Sequence, residues 1–137
     1  MTSSANQQAK ADLYKRQNVL TAAPGELTLM LYDGCIKEVK LMRRYIEEGG
    51  IEKANEAALQ AQAILSELIR SLNMQIEMSQ DLYRLYEYML GELVFANIHK
   101  KADRTDIVLE MLGELRDAWH QAIRSNRLQV MGTGGSI

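Results

Sequence analysis

The spacing of the apolar residues constrains this chain most, because they recur every three or four positions through four long segments. This spacing places them on one face of an α-helix, and no stretch shows the strict alternation of apolar and polar residues typical of a half-buried strand. The only proline, Pro24, lies at the start of the first segment, so no later proline interrupts a helix. The pattern predicts an all-α protein.

Cap and turn residues divide the chain into four predicted helices. The first begins at Pro24 and ends before Gly49-Gly50, and the second runs from about residue 51 to Asn73, its predicted C-terminal cap. Ser79 and Asp103 are the predicted N-caps of the third and fourth helices. Because short connections make neighbouring helices antiparallel, the sequence predicts an antiparallel up-down four-helix bundle over residues 13–127.

The two ends of the chain are polar or glycine-rich. Residues 1–12 are predicted to form a flexible N-terminus, and residues 128–137, which contain Gly-Thr-Gly-Gly-Ser, a flexible C-terminal tail. Residues 13–20 carry several apolar side chains, and we expect them to dock on the bundle as a short extra segment.

Composition excludes several classes of function. Lys and Arg number 16 against 18 Asp and Glu, so no net positive field favours nucleic acid as a partner. The single cysteine rules out an intramolecular disulfide and a cysteine-based zinc site. The N-terminus lacks the apolar core of a signal peptide, and no apolar run is long enough to span a bilayer. We therefore expect a cytoplasmic protein with no membrane partner.

Motifs that would indicate catalysis or a cofactor are missing. A ferritin-like metal bundle needs two Glu-x-x-His pairs, but Ala96 precedes His99 by three residues and Asp117 precedes His120 by three. No glycine-rich phosphate-binding loop is present. Cys35 lies on the apolar face of the first helix, where a small buried residue is a better interpretation than a nucleophile. The sequence predicts no enzyme, no metal and no cofactor.

The first and third helices carry more apolar residues than a bundle core requires. A thick core covered by the N-terminal segment would account for this excess, and so would a groove that accepts a helical or extended partner segment. A generic interaction bundle that uses its apolar stripes to dimerise is the alternative function. The pattern alone leaves these interpretations open.

Three motifs resemble those of a known family. Residues 21–34 read TAAPGELTLMLYDG, residues 85–89 read LYEYM, and residues 116–119 read RDAW. In this order they are similar to the flagellin-specific export chaperones of bacteria, the FliS family, and the resemblance covers about residues 14–123. Ala23 stands where that family usually has serine before the proline.

The resemblance implies a cytoplasmic four-helix chaperone that binds the disordered C-terminal segment of flagellin and prevents its premature polymerisation. It also implies delivery of flagellin to the flagellar type III export apparatus, with the export gate and a co-chaperone as further partners. The N-terminal segment would occupy part of the binding surface when flagellin is absent.

We expect apolar grooves rather than a pocket, and the residues predicted to line them are Leu27, Leu31, Leu82, Tyr86, Met89 and Leu93. Tyr14 and Val19 are predicted to form the mobile plug, and Asn97 to bond the partner backbone. Substitution at a groove position would weaken binding, whereas substitution at a core position would lower stability.

Overall fold

The structure, a computed structural model, describes the backbone of residues 24–132 and the side chains of residues 25–125. It consists of four α-helices, with a single 3-10 turn, Ala102–Arg104, before the last: α1 Pro24–Glu47, α2 Ile51–Arg70, α3 Glu77–His99 and α4 Thr105–Gly132. Each helix packs against its neighbours along the chain, and α1 also packs against α4, which closes the bundle. The predicted all-α four-helix bundle is confirmed. The predicted docking segment, residues 13–20, and the N-terminal residues 1–12 lie outside the described residues.

The turn after α1 forms at the two glycines, as the sequence predicts. Gly49 has φ of +80°, a left-handed conformation that costs glycine little. The backbone N–H of Gly50 then donates to the carbonyl of Tyr45 at 2.8 Å, which pairs one of the last carbonyls of α1. The chain reverses there and starts α2 at Ile51.

The connection between α2 and α3 differs from the predicted one. Helix α2 ends at Arg70, and Ser71 closes it by donating its hydroxyl to the carbonyl of Leu68 at 2.7 Å. Asn73 instead accepts the backbone N–H of Gln75 in the turn that follows. Helix α3 begins at Glu77 with Ile76 as an N-cap that makes no side-chain hydrogen bond, so the predicted N-cap Ser79 is wrong.

The start of α4 also differs from the expected one. Asp103 lies within the 3-10 turn rather than at the N-cap, and α4 begins at Thr105. The hydroxyl of Thr105 donates to the carbonyl of Ala102 at 2.6 Å, which binds the turn to the helix. Helix α4 continues to Gly132, past residue 127, the predicted end of the bundle domain, since no glycine or proline lies between residues 127 and 132.

The packing of the bundle is uneven. Helix α1 packs most closely on α2, where a row of small residues lets the two backbones approach: Ala54, Ala57, Ala58 and Ala61, all buried. Helix α3 packs much more loosely on α4 than α1 does on either of its neighbours. This asymmetry leaves apolar side chains of α3 and α4 without cover in the described part of the chain.

Candidate partner-binding surface

The motifs that carry the family resemblance meet inside the bundle. The hydroxyls of Tyr32 in α1 and Tyr86 in α3 share a hydrogen bond of 2.5 Å. The Tyr32 ring also lies 6.4 Å from the Trp119 ring of α4, centre to centre, in an edge-on arrangement. Indole Nε1 of Trp119 donates to the carbonyl of Gly25 at 2.8 Å. These motif residues therefore hold α1, α3 and α4 together.

The same motifs make two further contacts between α1 and α4. Arg116 Nε donates to Asp33 Oδ1 at 2.8 Å, at the surface of the bundle. A Cβ at Gly25 would lie 3.2 Å from Cγ1 of Ile123, closer than most real Cβ contacts. The glycine in the first motif thus permits the close approach of α4.

Burial perturbs the titration of the core residues. Desolvation raises the pKa of the Cys35 thiol to about 12, with a smaller contribution from the charge of Glu38. Desolvation likewise raises the pKa of Tyr86, and the hydrogen bond that it makes with Tyr32 adds to this effect. The pKa of Tyr32 is raised by desolvation as well, partly offset by the same bond. These groups stay neutral at physiological pH, and Cys35 is a buried structural residue.

The structure places four of the predicted groove residues in the core: Leu31, Tyr86, Met89 and Leu93. Leu27 and Leu82 are half-buried. The side chain of Asn97 donates to Asn55 Oδ1 at 2.8 Å and accepts from Lys100 Nζ at 2.7 Å, so its amide is engaged within the chain. Tyr14 and Val19, the predicted plug, lie outside the described residues.

A partly exposed apolar row runs along α3. Met78, Leu82, Leu85 and Met89 follow in steps of four and three, which places them on one helix face. Met78 is 62% exposed, Leu85 is 38% exposed, and Leu82 is half-buried, whereas Met89 is buried. Tyr88 widens the exposed part of this row.

A second row on α4 faces the first: Met111, Leu115, Ala118 and Ala122, again in steps of four and three. Met111 and Leu115 are half-buried, and both alanines are exposed. The opposite edge of α4 is committed to α1 through Arg116, so this row is the one available to α3. We call the two rows, Met78 to Met89 and Met111 to Ala122, the α3–α4 apolar surface.

The α3–α4 apolar surface is closed at one end and open at the other. Arg104, at the connection between the two helices, bonds Glu92 at 3.2 Å and lies 4.3 Å from the centre of the Phe95 ring. In each row the residue nearest this connection, Met89 or Met111, is less exposed than the one farthest from it, Met78 or Ala122. At the open end the exposed side chains of Met74 and Ile76 extend the apolar area. Such a surface can accept an apolar segment along its length.

Sequence reasoning missed Leu85, Ala118 and Ala122 as surface residues. Their spacing on the helix face is visible in the sequence, but whether α3 and α4 cover each other there depends on how loosely they pack. The one available signal was the breadth of the apolar face of α3, which exceeds what two neighbours can bury.

No chemistry beyond binding is evident in the described part of the chain. Between residues 24 and 132, no group of three His, Cys, Asp or Glu side chains is arranged to hold a metal ion. Among the helices of the same residues, none combines the length and hydropathy that a bilayer-spanning helix needs.

Comparison with known proteins agrees with this architecture. A family model described as "Flagellar protein FliS" matches residues 5–126. The flagellar secretion chaperone FliS of Bacillus subtilis (strain 168) is 43% identical over 122 residues, covering 89% of this chain and 92% of that protein. FliS of Salmonella typhimurium is 28% identical over 116 residues, covering 82% of this chain and 86% of that protein. A crystal structure of a flagellar chaperone from bacteria matches with a TM-score of 0.71 at 19% identity, covering 86% of this chain and 98% of that one.

The fold is that of a four-helix bundle with apolar side chains exposed on its surface. The chain belongs to the FliS family of flagellar secretion chaperones, because the family model matches most of its length. Membership of this non-enzymatic family confirms both the resemblance and the prediction that the chain is not an enzyme.

Proposed function

We propose that this protein is a cytoplasmic chaperone that binds the disordered C-terminal segment of flagellin on its α3–α4 apolar surface. Bound there, flagellin is kept from premature polymerisation and is delivered to the type III export apparatus. The single observation that carries the assignment of the surface is the pair of apolar rows on α3 and α4, whose residues farthest from the connection between the two helices, Met78 and Ala122, are exposed.

The dimensions of the surface suit a helical partner segment. Met111 and Ala122 are eleven residues apart, which corresponds to about 16 Å along α4 at the usual helical rise. A partner helix of about three turns would cover that length, with apolar anchors at steps of three and four seated between the rows. Methionine at both Met78 and Met111 suits such a surface because its flexible side chain adapts to different anchors.

The free-energy cost of ordering the flagellin segment favours a large interface over a small one. A disordered segment that becomes helical on binding loses about 2–5 kcal/mol of the gross interaction energy to ordering. We therefore expect the flagellin segment to extend past the α3–α4 apolar surface onto neighbouring faces. The predicted plug, Tyr14 and Val19, would compete for part of this area when flagellin is absent and so weaken non-specific binding. Release at the export gate then requires competition rather than nucleotide hydrolysis.

Calorimetric titration with a synthetic peptide from the C-terminal region of flagellin tests the proposal. We expect one-to-one binding with a negative change in heat capacity, the mark of apolar burial. Leu85→Ser should weaken binding about tenfold, or about 1.4 kcal/mol, because the apolar contact between Leu85 and the peptide is lost.

Val94→Ser is the matched control, since Val94 is 37% exposed on the same helix but lies on the side toward Asn97 and α2. The proposed surface would be wrong if both serine variants bound the peptide equally, with melting temperatures unchanged. If the folded protein bound no peptide and sedimented as a dimer that Leu85→Ser dissociates, the self-dimerising bundle would replace the chaperone assignment.

A further inference from the structure

A basic strip lies on the solvent side of α1, away from the α3–α4 apolar surface. Lys37, Lys40 and Arg44 are exposed and follow in steps of three and four, so they share one helix face. Together with the half-buried side chains of Ile36 and Leu41 they line a shallow depression, with Asp33 at its edge. We call these five residues, Ile36, Lys37, Lys40, Leu41 and Arg44, the α1 basic face.

Two of the three cations of the α1 basic face, Lys37 and Lys40, form no ion pair within the described part of the chain, and Arg44 makes only a long one and lies 5.3 Å from the centre of the Tyr45 ring. In residues 24–132 no carboxylate lies within 4.0 Å of Lys37 or Lys40, and Arg44 reaches Glu48 only at 3.9 Å. The adjacent Arg43, by contrast, is paired with Asp106 of α4. Asp33 is neutralised by Arg116 at 2.8 Å. The face is therefore locally positive in a chain of formal net charge −2.

We propose that the α1 basic face binds an acidic helical segment of a second protein partner. Lys37 and Arg44 are seven residues apart, about 10 Å along the helix axis, which matches carboxylates spaced by two turns on a facing helix. Ile36 and Leu41 add an apolar strip of the kind that amphipathic helices cover. Charge complementarity would set the orientation and the rate of association of this partner.

Both surfaces can be occupied at once. Helix α1 packs on α2 and α4 but not side by side with α3, so α1 and α3 lie diagonally across the core. The outer side of α1 therefore faces away from the rows of the α3–α4 apolar surface. The second partner would then bind the α1 basic face while the α3–α4 apolar surface holds the flagellin segment. Transfer of that segment to another protein requires such simultaneous binding.

A membrane fits the α1 basic face less well than a peptide does. Ile36 and Leu41 are half-buried and pack against the core, so they do not project far enough to enter a bilayer. Three exposed cations alone contribute about 1 kcal/mol each at an anionic surface, which is too little for stable attachment. A short acidic helix can use the cations and the apolar strip together.

Fluorescence anisotropy with a synthetic helical peptide tests the proposal. The acidic peptide carries Glu at steps of three and four on one helix face, with Leu residues beside them. A control peptide has Gln in place of every Glu. We expect the acidic peptide to bind the full-length protein and to lose about tenfold in affinity between about 50 mM and about 300 mM salt. The Gln peptide should bind at least tenfold more weakly than the acidic one.

The double variant Lys37→Glu, Lys40→Glu should reduce affinity for the acidic peptide by about tenfold or more. Its matched control is Lys101→Glu, Arg124→Glu, which changes the net charge equally at two exposed cations elsewhere. Equal affinities of the two double variants would overturn the proposal. Sedimentation with phosphatidylglycerol vesicles that depends on Lys37 and Lys40, without peptide binding, would overturn it in favour of a membrane.

Titration of both double variants with the flagellin peptide separates this inference from the proposed function. We expect both to bind that peptide as the unaltered protein does, because the α3–α4 apolar surface is untouched. Loss of flagellin binding in the Lys37→Glu, Lys40→Glu variant alone would contradict the claim of two independent surfaces.

Discussion

The hydrogen bond between the two buried tyrosines allows a sharp prediction about stability. Tyr32 is 0% exposed and Tyr86 is 2% exposed, and their hydroxyls lie 2.5 Å apart. Tyr86→Phe or Tyr32→Phe removes one hydroxyl and leaves the other buried without this partner. Such an unsatisfied group costs about 1–3 kcal/mol of the free energy of unfolding.

The double variant Tyr32→Phe, Tyr86→Phe removes both hydroxyls and keeps both rings. Because no buried polar group is then left over, we expect it to be less destabilised than the sum of the single variants by about 1–3 kcal/mol. Urea unfolding followed by far-ultraviolet circular dichroism measures all four free energies. Tyr83→Phe is the control, since the Tyr83 hydroxyl bonds Glu87 on the surface and its loss should cost less than about 0.5 kcal/mol.

The reasoning would be refuted by additive costs, with the double variant as unstable as both single variants together. It would equally be refuted if the single variants were as stable as the Tyr83→Phe control. Either result would mean that water or another group already satisfies the buried hydroxyls.

Two further predictions concern the core and the helix contacts. Since the folded state raises the pKa of Cys35 from 9.0 to about 12, its contribution to stability is complete below pH 9 and is lost as the pH rises above it, by about 1.4 kcal/mol per unit. Urea midpoints between about pH 8 and pH 10 should therefore fall more steeply for the unaltered protein than for Cys35→Ala, and parallel pH profiles would contradict the burial argument. For the glycines, Gly91→Ala should raise the free energy of unfolding by about 0.5–1 kcal/mol because open space surrounds its Cβ position, whereas Gly25→Ala, whose Cβ would lie 3.2 Å from Ile123, should gain less or destabilise. Thermal unfolding compares the two, and equal gains would show that α4 does not approach α1 as closely as described.

Helical periodicity predicts most of the fold because it reflects the packing directly. The heptad-like spacing on α2 predicts a packing seam from Ala54 to Leu72, and the row is buried from Ala54 to Leu68, whereas Leu72, beyond the end of the helix, is half-buried. Cap positions were less predictable. Serine is a favoured N-cap residue, but Ser79 lies within the first turn of α3, which begins at Glu77 without a side-chain cap. Local preference is too weak there to decide where the helix begins.

The candidate surface was harder to predict than the fold. Met89 and Leu85 stand four residues apart on the same apolar face of α3, yet the first is buried and the second is exposed. The difference arises from how α4 lies against α3, which no local pattern encodes. Motif residues mislead for a related reason, since Tyr86 is prominent in the sequence but serves the core.

The close packing of α1 on the alanine row of α2 has a consequence for how the molecule moves. Amide hydrogens in these two helices should exchange with solvent only through global unfolding, since opening either one exposes the whole seam. The first turns of α3 have neither a side-chain cap nor close cover from α4, so they should open locally at a much lower free energy. The pair of helices α1 and α2 should therefore be the rigid part of the bundle, and the first turns of α3 the part that opens most easily. A partner segment that binds the α3–α4 apolar surface should slow hydrogen exchange in the first turns of α3 before it affects the rest of the chain.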